Sequence, residues 1–207
     1  ARCLRDAGAA AIGVAELREA LAIRDLGLPV QILGSLIDEE VPAVVANNLI
    51  APLTDHEIAR QLSAEAIRQG RQVECHFKID TGMGRLGLRF EDAEEVITRV
   101  WRLPGLRCTG IYSHFPSANC DYPYSEQQVR DFRGLLERLA RRDITFRQIH
   151  IANSDGINNI PSSIKWPFTM ARTGINLYGV YDMEGQKTMD LRPALTLKTR
   201  LVATRCL

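Results

Sequence analysis

Four short stretches of this chain hold the side chains best able to do chemistry. "HFKIDTGMGRLG" (76–87) pairs Lys78 with Arg85, "YSHF" (112–115) carries His114, "HIANSDG" (150–156) carries Asn153 and Ser154, and "ARTGINLYG" (171–179) carries Arg172, Gly174 and Ile175. An arginine presents a planar fork that clamps a carboxylate through two hydrogen bonds. A serine and small residues where a helix begins offer hydroxyl and N–H groups to a phosphate. The chemistry within reach is the holding of an organic anion.

Gly82, Gly84 and Gly87 also spell G-x-G-x-x-G, the dinucleotide fingerprint. Such a fingerprint follows the first strand of its unit, opens a helix directly, and has an acidic residue about 20 positions on. Here it follows the fourth strand-like run, the next helix starts only near Phe90, and the region in question reads "RLPGLR", without a carboxylate. The glycines fit better as a tight turn that brings Arg85 to a ligand. Taken alone, Arg85 also suits a solvated loop. His76, Lys78 and Asp80 share one face of the preceding strand by period-2 alternation. A lysine turned inward beside an arginine is costly unless neutralised, whereas one at an edge snorkels to water. Ser154 suits a helix N-cap as well as a phosphate site.

The elements that position these residues alternate along the chain. Strand-like runs are "AAIGVA" (10–15), "VQILGS" (30–35), "LIAPLT" (49–54), "VECHFKID" (73–80), "LRCTGIYSHF" (106–115), "RQIHIAN" (147–153) and "FTMA" (168–171). Most are continuous apolar runs, as in parallel strands covered on both faces. Amphipathic segments lie between them: "ELREALAIRDLG", "TDHEIARQLSAEAIRQG" with Thr54 and Glu57 at capping-box spacing, "FEDAEEVITRVWRL", and "SEQQVRDFRGLLERLARR" with Ser125 and Gln128 at the same spacing. A doubly wound sheet and a (β/α)8 barrel both accommodate such a series, and repeats of roughly 20–35 residues favour the barrel. The expected fold is α/β, a TIM-like (β/α)8 barrel with about seven of its eight strands present.

The 207 residues carry 26 basic and 25 acidic side chains, a balance that points to neither nucleic acid nor an anionic membrane. No apolar run approaches the roughly 20 residues of a membrane span, and no signal segment opens the chain, so a cytosolic protein is expected. The five cysteines, Cys3, Cys75, Cys108, Cys120 and Cys206, are scattered and never in C-x-x-C spacing, which argues against a disulfide framework or structural zinc. The opening "ARCLRDAG" reads as a helix tail and the closing "LTLKTRLVATRCL" as a strand-like run. Both look like cuts through a longer protein: a barrel domain over 1–190, lacking its first strand, and the start of a further β domain over 191–207.

The four stretches, in this order, resemble the alanine racemases, pyridoxal 5'-phosphate (PLP) enzymes with a barrel and a separate β domain. The resemblance covers essentially the whole chain. It implies that Arg85 contacts the carboxylate of the substrate, alanine. It implies that Lys78 matches a lysine carbamylated in several members, where the carbamate is an anion partnering Arg85. Arg172 would bond the pyridine nitrogen of PLP, and Ser154, Gly174 and Ile175, with Asn153 beside them, would hold its phosphate. His114 would sit behind the ring, linked to Arg172. His56, His76 and His150 match no motif and read as structural. The family's cofactor lysine, on the first barrel strand, and its tyrosine base, in the C-terminal domain, are not in this chain. Lys78, Lys165, Lys187 and Lys198 all sit in other contexts. Pro116 and Thr173 also depart from the family's pattern.

The resemblance further implies a bacterial, cytoplasmic homodimer with active sites shared across its interface, supplying D-alanine for peptidoglycan. The chain alone would be inactive. Rival expectations are a serine or broad-specificity racemase of the same fold and a non-catalytic PLP-binding barrel.

Overall fold

The computed structural model describes residues 1–182 and 184–205; Cys206 lies outside the described residues. Among the described residues seven strands run β1 (Ile12–Val14), β2 (Val30–Ile32), β3 (Ala51–Leu53), β4 (Val73–Asp80), β5 (Leu88–Arg89), β6 (Leu106–Tyr112) and β7 (Gln148–His150). Before, between and after them lie α1 (Arg2–Asp6), α2 (Leu17–Ile23), α3 (Val41–Ala46), α4 (His56–Arg68), α5 (Ala93–Val100), α6 (Tyr122–Ala140) and α7 (Ser154–Asn159). All strand pairings are parallel, β1 on β2 and β3-β4-β6-β7 in sequence. A bridge between Gln31 and Ile50 joins the two groups into one curved barrel wall.

Alternation along the strands decides what the wall separates. Val73, Cys75, Phe77 and Ile79 of β4 are fully buried in the layer beneath the helices. They share that layer with Ile58 and Leu62 of α4, Ile97 of α5, and Phe132 and Leu135 of α6. Removing side chains of this size from water stabilises the fold by roughly 1.5–3 kcal/mol each. The intervening residues point inside the barrel. Register sets His76 level with Gly110 and Gln148, and Lys78 level with Tyr112 and His150. The inside is therefore polar just below the mouth, and His76, Lys78, Gln31 and His150 are all buried there.

Several boundaries differ from those read in the sequence. The stretch 168–171 is not a regular strand. It runs beside β7 through Thr169 N–H to Ile149 O (2.8 Å) and Arg172 N–H to Ala152 O (2.9 Å). The Thr169 hydroxyl accepts the Ile149 N–H (2.9 Å), so a side chain takes the place of a ladder carbonyl. Helix α4 is capped by Asp55, not Thr54: Asp55 Oδ1 accepts the Ile58 N–H at 2.8 Å, while Thr54 is buried at the strand end. Helix α6 starts earlier than Ser125, because Asp121 caps it (Oδ1 to Tyr124 N–H, 3.0 Å) and Pro123 fits its first turn. Ser125 and Gln128 are then buried helix residues, not caps. Helix α3 was not apparent as an amphipathic segment, since its six residues include a run of β-branched valines. The segment 195–205, read as strand-like in sequence, forms neither helix nor strand, and Leu195, Leu197, Leu201 and Val202 are exposed. Among the described residues no helix is long and apolar enough to cross a membrane.

Candidate functional site

Four loops leave the C-terminal ends of β4, β6, β7 and the stretch after Phe168, the rim where parallel barrels build their sites. Arg172 is the hub of this rim. Its Nη1 bonds His150 Nδ1, and its Nη2 bonds Ser113 O (2.7 Å), His114 Nδ1 (3.2 Å) and Ile151 O (3.3 Å). Its Cζ also lies 5.4 Å from the centre of the Tyr112 ring. Burial draws the pKa of the guanidinium down to about 10, which leaves it charged at neutral pH. The family resemblance implied the link between His114 and Arg172 that the structure contains, while His150, read as structural, contacts Arg172 as well. A histidine at the last position of β7 carried no motif, and only the tertiary structure shows that it meets Arg172.

Arginine only donates, so the ring nitrogens that face Arg172 have to accept. His150 is therefore neutral with its proton on Nε2. Burial first, then the Arg172 charge, holds its pKa well below the ordinary value. The same two causes bring His114 to about 3. The His150 ring stacks on Tyr112 with centres 5.1 Å apart.

Lys78 is 3% exposed, donates to Ile79 O at 3.4 Å, and has its Nζ 5.5 Å from the Tyr112 ring centre. It is thus an inward lysine and not one snorkelling to water. Burial, with the Arg172 and Arg85 charges adding to it against Asp80, lowers its pKa to about 7. Gly87 covers it: at φ +113°, a Cβ there would lie 2.7 Å from both Lys78 Cγ and Lys78 O.

Arg85 is exposed on the loop 81–87. Asp80 shapes that loop by accepting the N–H groups of Gly82, Met83 and Gly84 at 2.9, 2.8 and 3.1 Å. Burial alone would raise the Asp80 carboxyl, but these three bonds outweigh it and the pKa is lowered.

On the other side of the rim, Asn153 is the cap of α7, its Oδ1 accepting Gly156 N–H at 2.8 Å. That corrects the N-cap role considered for Ser154, which is the first helical residue instead. Ser154 Oγ accepts the N–H groups of Gly174 (3.0 Å) and Asn176 (3.4 Å). Both of its acceptor sites are taken, which turns the hydroxyl hydrogen toward whatever lies in front. Open space faces Gly174, and Ile175 is 45% exposed. One cavity of about 730 Å³ is lined by His114, Asn153, Ser154, Arg172, Gly174 and Ile175, with Ala9–Gly13, Gln31 and Leu33 among its other walls. Lys78 and Arg85 do not line it. A second cavity, of about 400 Å³ between α6 and Trp166, shares none of these residues.

Fold and site together define a parallel α/β barrel with a half-buried arginine at the centre of its mouth. The chain belongs to the alanine racemase N-terminal domain family, whose model matches residues 1–182. It is 35% identical to alanine racemase 2 of Caldanaerobacter subterraneus, covering 98% of this chain and 53% of that protein. It is 36% identical to an alanine racemase of Desulforamulus reducens, covering 97% and 55%. Among solved structures, an alanine racemase of Clostridium difficile superposes with a TM-score of 0.88 at 26% identity, over 93% of this chain and 54% of that one. A histidine racemase of Leuconostoc mesenteroides, at 24% identity and a TM-score of 0.81, shares the fold. The chain spans about half the length of these relatives.

Proposed function

We propose that this chain is the PLP-binding barrel portion of an enzyme that interconverts L- and D-alanine. The observation that carries the reading is the single cavity into which His114, Asn153, Ser154, Arg172, Gly174 and Ile175 converge. A pyridine phosphate fits this lining: the Ser154 hydroxyl hydrogen and the open space beside Gly174 suit a phosphate, and the half-buried guanidinium suits a ring nitrogen that accepts. When bound, PLP supplies an electron sink for the negative charge left on Cα once its proton is removed. A permanently cationic donor such as Arg172 leaves a pyridine nitrogen unprotonated and so moderates that sink.

In this reading Arg85 takes the alanine carboxylate, and Lys78, near neutral pH partly an uncharged amine, forms a carbamate that pairs with Arg85. The cofactor lysine and the tyrosine base lie outside this chain, so the chain alone does not racemise. Residues 1–190 form the barrel and 191–207 open a second, β domain. The complete protein is a cytoplasmic homodimer whose D-alanine serves peptidoglycan.

Titration with pyridoxine 5'-phosphate tests the reading, because this analogue has no aldehyde and cannot condense with a lysine. Binding to the wild-type chain is expected, weakened at least tenfold (about 1.4 kcal/mol) by Arg172→Ala. Equal affinity in both would sink the assignment. In the complete protein, alanine racemisation is expected to be abolished by Arg85→Ala and by Arg172→Ala.

A further inference from the structure

We propose that Tyr124 is a positioning residue for Arg85, acting through a hydrogen bond from its hydroxyl to the carbonyl of Gly82. The inference rests on the reading of Arg85 as the group that takes a carboxylate. An exposed arginine on a glycine-rich loop is useful in that role only if its backbone is held, since each free torsion dilutes the clamping geometry.

Asp80 holds the N–H side of the loop but contributes nothing to its carbonyls. The carbonyl of Gly82 is tied by another element: Tyr124, in the first turn of α6, donates to it at 2.7 Å across 42 residues of sequence. The contact is also steric. Gly82 has φ +133°, and a Cβ there would lie 2.1 Å from Tyr124 Oη, so the tyrosine rests directly on the glycine. Tyr124 is itself fixed, because its N–H is the group that caps α6 on Asp121. One turn on, Gln128 donates from the same helix face to Thr81 Oγ1 (3.1 Å), and Thr81 shares a 2.7 Å hydrogen bond with Ser113. Thus Thr81 and Gly82 are tied to α6 by hydrogen bonds, Gly87 lies close against Lys78, and Arg85 lies on the short span between.

The loop that carries the substrate-facing arginine is therefore set by the start of α6, an element outside the cofactor cavity. Tyr124 does not line that cavity, so its loss should leave phosphate binding intact. That separates a positioning role from general damage to the fold.

The test is NMR titration of the 207-residue chain with two probes: propionate for the carboxylate subsite and pyridoxine 5'-phosphate for the phosphate side. In the wild type, propionate is expected to shift Arg85 together with Gly82 and the Tyr124 ring, and Arg85→Ala to lose that binding. Tyr124→Phe is expected to weaken propionate by roughly three- to tenfold, the range for one neutral hydrogen bond. It should speed hydrogen exchange at Gly82–Gly84 and leave pyridoxine phosphate affinity unchanged. Wild-type propionate affinity and exchange in Tyr124→Phe would overturn the proposal. Unaltered propionate binding in Arg85→Ala would instead overturn the carboxylate reading, and the positioning role with it. Should Tyr124→Phe not fold, the wild-type titration still decides: a propionate response at Arg85 that leaves Tyr124 and Gly82 unmoved overturns the proposal.

Discussion

The guanidinium of Arg172 donates to Nδ1 of His150, and this one contact dictates the charge and the tautomer of the histidine. A second donor cannot face an arginine, so the proton sits on Nε2 and the ring stays neutral. We expect nitrogen chemical shifts of His150 to show an unprotonated Nδ1 and a protonated Nε2 from pH 8 to pH 5. An imidazolium signal at pH 6 would contradict the arrangement.

Stability should fall on acidification in a window that the buried imidazoles define. His76 and His114 have pKa values lowered from 6.5 to about 4 and about 3, burial being the first cause in each. Below 6.5 the unfolded chain binds protons that the native chain refuses. The stabilisation is thus complete above about pH 6.5 and is lost as pH falls toward 4 and then 3. Each histidine contributes a slope of about 1.4 kcal/mol per pH unit inside its window. Urea unfolding at pH 7.5, 6 and 5 measures this, and His76→Phe should reduce the slope.

Lys78 gives the opposite end of the pH scale. Its native pKa of about 7, against 10.5 for a free lysine, means that the fold disfavours the charged amine. The stability this costs is restored as pH rises from 7 toward 10.5. Under carbon dioxide-free conditions at pH 7, Lys78→Met is expected to stabilise the chain by about 2 kcal/mol and to flatten the alkaline slope.

The same low pKa leaves the Lys78 amine nucleophilic near neutral pH. With 13C-bicarbonate at pH 8, the wild-type chain should show one carbamate carbon, formed as the amine adds carbon dioxide and releases a proton. Lys78→Met should lack that signal. A spectrum identical in both would remove the proposed anion beside Arg85.

Ser154→Ala removes the acceptor that Gly174 and Asn176 N–H groups share. We expect a loss of about 1–2 kcal/mol in unfolding free energy and a roughly tenfold weaker hold on pyridoxine 5'-phosphate. Calorimetry on one protein preparation reads both.

The sequence alone determined the alternation of strands and helices, because apolar runs and amphipathic periods are local. It also placed Arg85 and Ser154 in the loops that follow strands, since their stretches follow those runs directly, whereas the run before Arg172 and Gly174 forms no regular strand. The inward Lys78 was legible from period-2 alternation, although an edge position read equally well until β3 and β6 were seen on either side. Only the tertiary structure decided what depends on register and on contacts across the chain. It brought His150 to Arg172, moved Gln128 from a supposed cap to a buried donor on Thr81, and set Tyr124 on Gly82. The physical reason is separation. A hydrogen bond spanning 42 residues leaves no period in the sequence, because the angle at which a helix meets a strand end is set by packing and not by any neighbouring residue.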